Sequence, residues 1–298
     1  MNMQISTAVA LESGLAGRDR VRSLLRVLAR IDLFTILSAG IVLVLVLWGV
    51  APAWFTSHAP TDIDFDAVLQ RPSASHPFGT DHFGRDVYTL VVYGARQSLL
   101  VGVGVVTIGV SIGGTIGLII GYFGRGIDVL VMRLLEIWLA IPDILLIILI
   151  ATALEPGLTN LIVTMGIVSI PRYVRLMRSQ SLAIKNRPFV MAARATGASH
   201  LAILYQRILP HAFSLLLVVV TLSLGTAMLT GAALSFIGLG VIEDRPDWGA
   251  LLSEGRNYVT SGWWSTTFPG LAVTLVVVAL NVLGEALRIR LDPHSQRR

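Results

Sequence analysis

Six stretches of this chain each hold about 20 mostly apolar residues, the length a helix needs to cross roughly 30 Å of hydrocarbon at about 1.5 Å rise per residue. They run from about Leu33 to Trp54, Ser98 to Phe123, Val129 to Leu154, Leu158 to Arg175, Ala212 to Phe236 and Thr267 to Leu287. The expected fold is all-α, a polytopic membrane protein with six transmembrane helices. The fourth stretch is the weakest, because Ser169 and Pro171 interrupt it ahead of a run of Arg residues. Composition agrees: 54% hydrophobic and 14% charged residues, with a mean hydropathy of +0.74, lie outside the soluble globular range.

The +5 net charge and pI near 10.1 would suit nucleic acid if the basic residues formed one patch. Instead they cluster between the apolar runs. Cytoplasmic loops carry the excess of Lys and Arg, and with the N-terminus inside, 18 of the 23 fall in cytoplasmic segments. Only Arg71, Arg85, Arg96, Arg245 and Arg256 fall outside. Both termini are therefore expected in the cytoplasm, a parity that six spans satisfy, and nucleic acid is not an expected partner.

The expected organisation is a cytoplasmic tail over 1–32, the first span over 33–54, an external loop over 55–97, a five-helix core over 98–287 and a cytoplasmic tail over 288–298. The core contains a cytoplasmic loop, 180–210, and an external loop, 238–266. Ala51-Pro52-Ala53 resembles a signal-peptidase site, but 32 residues precede an apolar core of about 20, which reads as an uncleaved anchor. The first external loop holds Asp62, Asp64, Asp66, Asp81 and Asp86, and is too short and too polar to bury a core of its own. The second holds Glu243, Asp244, Asp247 and Glu254 with Trp248, Trp263 and Trp264, aromatics expected to anchor the membrane interface.

Little in the chain points to catalysis. With no Cys there is no disulfide, thiolate metal site or cysteine nucleophile. A phosphate-binding P-loop needs Gly-Lys-Ser/Thr, and the sole Lys, Lys185, sits between Ile184 and Asn186. His76, Asp81, His82 and Asp86 could meet as an external metal site, though a plain loop explains them as well, and no metal is expected.

Three features carry more. Gly109, Gly113, Gly117 and Gly121 recur every fourth residue and so share one helix face, drifting only about 40° per step. Small residues there let another helix backbone come close, within this chain or in another subunit. Glu136 and Asp143 lie in the third apolar run, where ionisable groups are costly. Seven residues apart on one helix they would fall within about 20° of each other, lining a translocation path or holding helices together. Glu285 with Arg288 reads as a simple helix pair.

The third feature is cytoplasmic. In Lys185-Asn186-Arg187-Pro188-Phe189-Val190-Met191-Ala192-Ala193-Arg194-Ala195-Thr196-Gly197-Ala198-Ser199, Pro188 suits the first turn of a helix and Gly197 its stop. Ser199 can cap a second helix that Pro210 ends. The segment is either an amphipathic helix on the membrane surface or a docking element whose small Ala192-Ala193 face admits a partner.

This stretch resembles the EAA loop of the permease subunits of bacterial ABC importers, in the dipeptide and oligopeptide branch. Ala192, Ala193, Gly197, Leu209 and Pro210 match its pattern; Met191 stands where Glu is expected, and Arg207 where an apolar residue is expected. His76 to Asp86, Tyr93 to Leu99, Leu234 to Gly240, Trp248-Gly249, Pro269-Gly270 and Leu291-Asp292-Pro293 resemble further segments of that branch. The resemblance implies a type I importer transmembrane domain in the bacterial inner membrane, without catalytic activity. Its implied partners are a second, homologous permease subunit, two ATPases docked on the loop, and an extracytoplasmic substrate-binding protein. ATP and Mg would be held by the ATPases, and no cofactor by this chain. The solute would be a peptide or a similar small polar molecule, with nickel or glutathione as alternatives. The rival readings are a proton-coupled secondary transporter using Glu136 and Asp143, and a membrane hydrolase using the His and Asp residues of the first external loop.

Overall fold

The computed structural model describes residues 32–240 and 245–291. The N-terminal tail before Asp32, the acidic Glu243 and Asp244, and the Asp292-Pro293 ending lie outside those residues. Among the described residues the chain is helical, with no strand beyond an isolated bridge between Thr80 and Asp86.

Helix α1, Leu33–Val50, follows the first apolar run. Helix α2 spans Val87–Phe123 and begins eleven residues before the expected Ser98. Asp86 sets this start: its carboxylate caps the helix, accepting from the Thr89 N–H at 2.8 Å and the Thr89 hydroxyl at 2.7 Å. The added turns are buried at Val87, Leu90, Val91, Val92 and Ala95. A π-turn over Gly109–Gly114 interrupts α2 in the middle of its glycine series.

The third apolar run is not one helix. Helix α3, Arg125–Leu139, and helix α4, Asp143–Ala153, meet at an angle of 81°. Pro142 accounts for the break, since it offers no N–H and excludes Ile141 from helical geometry. Gly124, at φ +65, makes the corner between α2 and α3. Helix α5, Leu158–Lys185, by contrast runs 28 residues straight through Ser169 and Pro171.

After the short helix α6, Pro188–Ala195, helix α7 runs over His200–Phe236, with a π-turn at Leu204–Ile208. A short helix, α8, Trp248–Gly255, and helix α9, Trp264–Leu291, complete the described residues. By length and composition α1, α2, α7 and α9 can each cross a membrane, and α3 with α4 can form a fifth, bent span. Helix α5 is long enough, but Asn160, Arg172 and Arg175 dilute its apolar run.

The bundle is built from α2 packed on α5 and α7, α7 on α9, and α9 on α1. The segment between α1 and α2 folds onto this bundle. Phe78 stacks on Phe268 of α9 at 4.0 Å, and the Trp264 indole donates to the Thr80 carbonyl at 2.8 Å. Trp248 likewise donates to the Val91 carbonyl at 2.8 Å. Two of the three tryptophans expected at the lipid interface are thus interior: Trp248 is 1% exposed and Trp264 2%. Each indole finds a backbone acceptor inside the protein, which removes the reason to face headgroups. Trp263 remains half-exposed.

Candidate functional site

The elbow over residues 185–210 begins where Pro188, at the first turn of α6, needs no partner for an N–H. Gly197 stops the helix at φ +81, and Ala198 N–H donates back to the Ala193 carbonyl at 3.0 Å. Ser199 caps α7 by accepting from the Ala202 N–H at 3.3 Å. Pro210 does not end that second helix. The Leu209 N–H bonds to Leu204 five residues back, and this wider turn absorbs the donor that Pro210 lacks, so α7 continues to Phe236.

Helix α6 has two faces. Val190 is fully buried, and Phe189 and Ala193 pack with it against Tyr122, Tyr173, Met177, Ile184, Ile203 and Ile208. Met191, Ala192, Arg194 and Gly197 are exposed, as is Pro210, while Leu209 packs on the same cluster. Of the two adjacent alanines, Ala192 alone belongs to the outer face.

Polar ties fasten this elbow to the C-terminal end of α2. Tyr122 OH and His200 Nδ1 lie 2.8 Å apart, and the Arg194 guanidinium sits 5.6 Å over the Tyr122 ring. Lys185 Nζ donates to the Gly121 carbonyl at 2.9 Å, closing the end of α2. Arg178 of α5 makes a two-pronged pair with Asp128 of α3, Nη2 to Oδ2 at 2.7 Å. The His211 ring stacks on Phe189 at 4.5 Å. None of these pairs was legible in the sequence except as scattered polar residues, since Tyr122 and His200 are 78 positions apart.

The glycine series of α2 lies against α5 of the same chain. A Cβ on Gly113 would stand 2.6 Å from the Ile170 carbonyl oxygen, and one on Gly121 2.6 Å from Ser181 Cβ. Gly109 faces Ser169 and Tyr173, and Gly117 faces Val174 and Arg178. Only hydrogen fits between these backbones.

Glu136 and Asp143 do not share a face, because the α3–α4 break separates them. Glu136 is exposed and paired with Arg133 at 3.0 Å. Asp143 opens α4 and lines a cavity of about 200 Å³ between α2, α4, α5 and α7. Arg172, Tyr173 and Ser169 of α5 and Ser223, Thr226 and Thr230 of α7 line the same cavity, with Val105, Ile147 and Met165.

In the segment between α1 and α2, His76 Nδ1 lies 3.1 Å from Asp86, so the two His and two Asp residues of that loop do not converge. Asp81, His82 and Glu254 do come within 4.8 Å of one another. Arg85 already bridges that group, at 2.7 Å from Asp81 and 2.8 Å from Glu254, as a cation would. Asp247 caps α8 from a buried position, and burial holds its carboxyl above the usual carboxylate range. Glu285 and Arg288 form the helix pair read from their spacing, at 3.5 Å.

Residues 113–297 match the family model described as binding-protein-dependent transport system inner membrane component. The chain is 46% identical over 225 residues to the dipeptide transport system permease protein DppC of Alkalihalophilus pseudofirmus, covering 76% of this chain and 74% of that one. It is 40% identical over 261 residues to the probable D,D-dipeptide transport system permease protein DdpC of Escherichia coli, covering 88% of each. Among solved structures, an inward-facing MetNI methionine ABC transporter shares the fold with a TM-score of 0.55 at 22% identity, over 68% of this chain and 96% of that one.

Proposed function

Since this chain belongs to the family of binding-protein-dependent transport system inner membrane components, we propose that it forms half of the pore of an ATP-driven importer of dipeptides or similar small polar solutes. It is a multi-pass, non-catalytic permease subunit. In our reading a second, homologous permease completes the pore, two ATPases holding ATP and Mg dock from the cytoplasm, and an extracytoplasmic binding protein delivers the solute. Both termini lie in the cytoplasm, α5 counts as a span, and the loops 55–97 and 238–266 lie outside.

The observation that carries this reading is the division of α6. Its inner face is fused into the cluster of α2, α5 and α7, while the small Ala192 and Gly197 and the apolar Met191 turn outward. A groove on an ATPase can take that outer face, and Leu209 and Pro210 secure the far end of the elbow. Tyr173 belongs to the cluster under Val190 and also lines the cavity between the helices. A pull on α6 is therefore passed by direct packing to the walls of the path, as rigid-body gating requires. The rival proton-coupled reading loses its paired acids, because Glu136 sits in an exposed ion pair away from the cavity.

Ala192→Glu tests the reading. A buried, unpaired carboxylate at the docking face should abolish ATP-driven uptake in proteoliposomes, while the permease still inserts and assembles because Ala192 touches nothing of its own core. Met191→Glu, the residue of the family pattern, should be tolerated. Normal uptake and ATPase co-purification by Ala192→Glu would exclude α6 as the coupling element.

A further inference from the structure

We propose that Asp143 and Arg172 are the two poles of a transit site for a zwitterion, the carboxylate taking a peptide's α-ammonium and the guanidinium its α-carboxylate. The inference rests on the reading of this chain as a peptide permease and says where in it the solute pauses.

Asp143 on α4 and Arg172 on α5 line one cavity, yet they form no ion pair with each other, and no hydrogen bond or ion pair to another described residue occupies either head group. Elsewhere in the described residues acids and bases pair readily: Arg178 with Asp128, Arg85 with Asp81 and Glu254, Arg133 with Glu136. Two exposed opposite charges that line one cavity without pairing are both available to a ligand that carries the complementary pair.

Other groups of the same cavity point the same way. Ser223 is 5% exposed, and its hydroxyl oxygen makes no hydrogen bond of ordinary length, with the Tyr173 hydroxyl close by in the same wall. A buried hydroxyl short of a full hydrogen bond costs free energy that a bound amide can recover. Ser169 and Thr226 donate to backbone carbonyls of their own helices, to Gly166 at 2.7 Å and Leu222 at 3.2 Å, which leaves their oxygens free to accept from a peptide N–H. Opposite charges and hydroxyls in one cavity suit a dipeptide zwitterion better than a sugar, a metal ion or a fatty acid.

The permease–ATPase complex, purified without binding protein so that selection occurs at the pore, is titrated with alanylalanine, its C-terminal amide and its N-acetyl derivative. The wild type should bind the free dipeptide tightest. Arg172→Gln should weaken the free dipeptide about tenfold, the worth of a charge-assisted hydrogen bond, and leave the amide unchanged. Asp143→Asn should do the same with the N-acetyl form as the unaffected probe. Ser223→Ala, which removes only a hydroxyl and leaves the fold intact, should weaken all three. Equal affinity of the wild type for the three probes, no binding of any, or equal losses for every probe in both charge variants would overturn the transit site. Failure of the whole importer to take up dipeptides with ATP is a separate readout and would remove the peptide-permease reading itself.

Discussion

The two sides of α5 face opposite problems. Toward α2 it packs backbone on backbone, with Gly109, Gly113, Gly117 and Gly121 removing every side chain that would hold the helices apart. Toward α4 and α7 it leaves a cavity with an apolar lining into which Asp143, Arg172 and Ser223 are set. In a bilayer nothing apolar is gained by pressing one helix on another, so contact must come from close packing, which small residues permit. A cavity survives only where the chain forgoes such packing. One helix thus serves as the rigid seam and as a wall of the cavity, and the π-turn at Gly109–Gly114 lies where α2 faces Ile170, Tyr173 and Val174.

The strongest way to break this contrast is Gly113→Leu. A side chain there meets the Ile170 carbonyl at its first carbon, so the helices must separate. We expect a loss of about 3 kcal/mol or more, the upper end of overpacking costs, read as failed assembly or a large fall in Tm of the purified complex. An assembled, fully active variant would mean that the seam opens without penalty.

A smaller effect is expected at the end of the seam where α3 meets α5. Arg178→Gln leaves the partly buried Asp128 without its two-pronged partner, which should cost about 1–3 kcal/mol in stability. Asp128→Asn in the same background should restore part of it, a coupling that a double-mutant cycle measures. No coupling would detach α3 from the seam.

The least effect should follow Glu136→Gln. Its pair with Arg133 is exposed, and exposed pairs contribute about 0–1 kcal/mol. Uptake should stay within about twofold of wild type, whether driven by ATP or assayed with a proton gradient. A severe loss would bring Glu136 into the path and blur the distinction between the edge of the bundle and its centre.

What the sequence determined is what local physics determines. Apolar length announced the membrane and most of the helices; Pro188, Gly197 and Ser199 marked the ends of the elbow helices, because an absent N–H, a left-handed φ and a side-chain cap are properties of single residues. The four-residue glycine period revealed a packing face, though not which neighbour it meets. Tertiary structure decided the rest. Pro142 breaks its helix while Pro171 lies within a continuous one and Pro210 is carried by a π-turn, because surrounding packing decides whether a missing hydrogen bond can be accommodated. Trp248 and Trp264 turned inward because Val91 and Thr80 offered carbonyls from distant segments. Arg172 reads in sequence as one of several cytoplasmic arginines; only the folding of α4 and α7 beside α5 places it in the lining of one cavity with Asp143. Contacts between residues far apart in the chain have no period or composition to announce them, and that is where this protein's path is built.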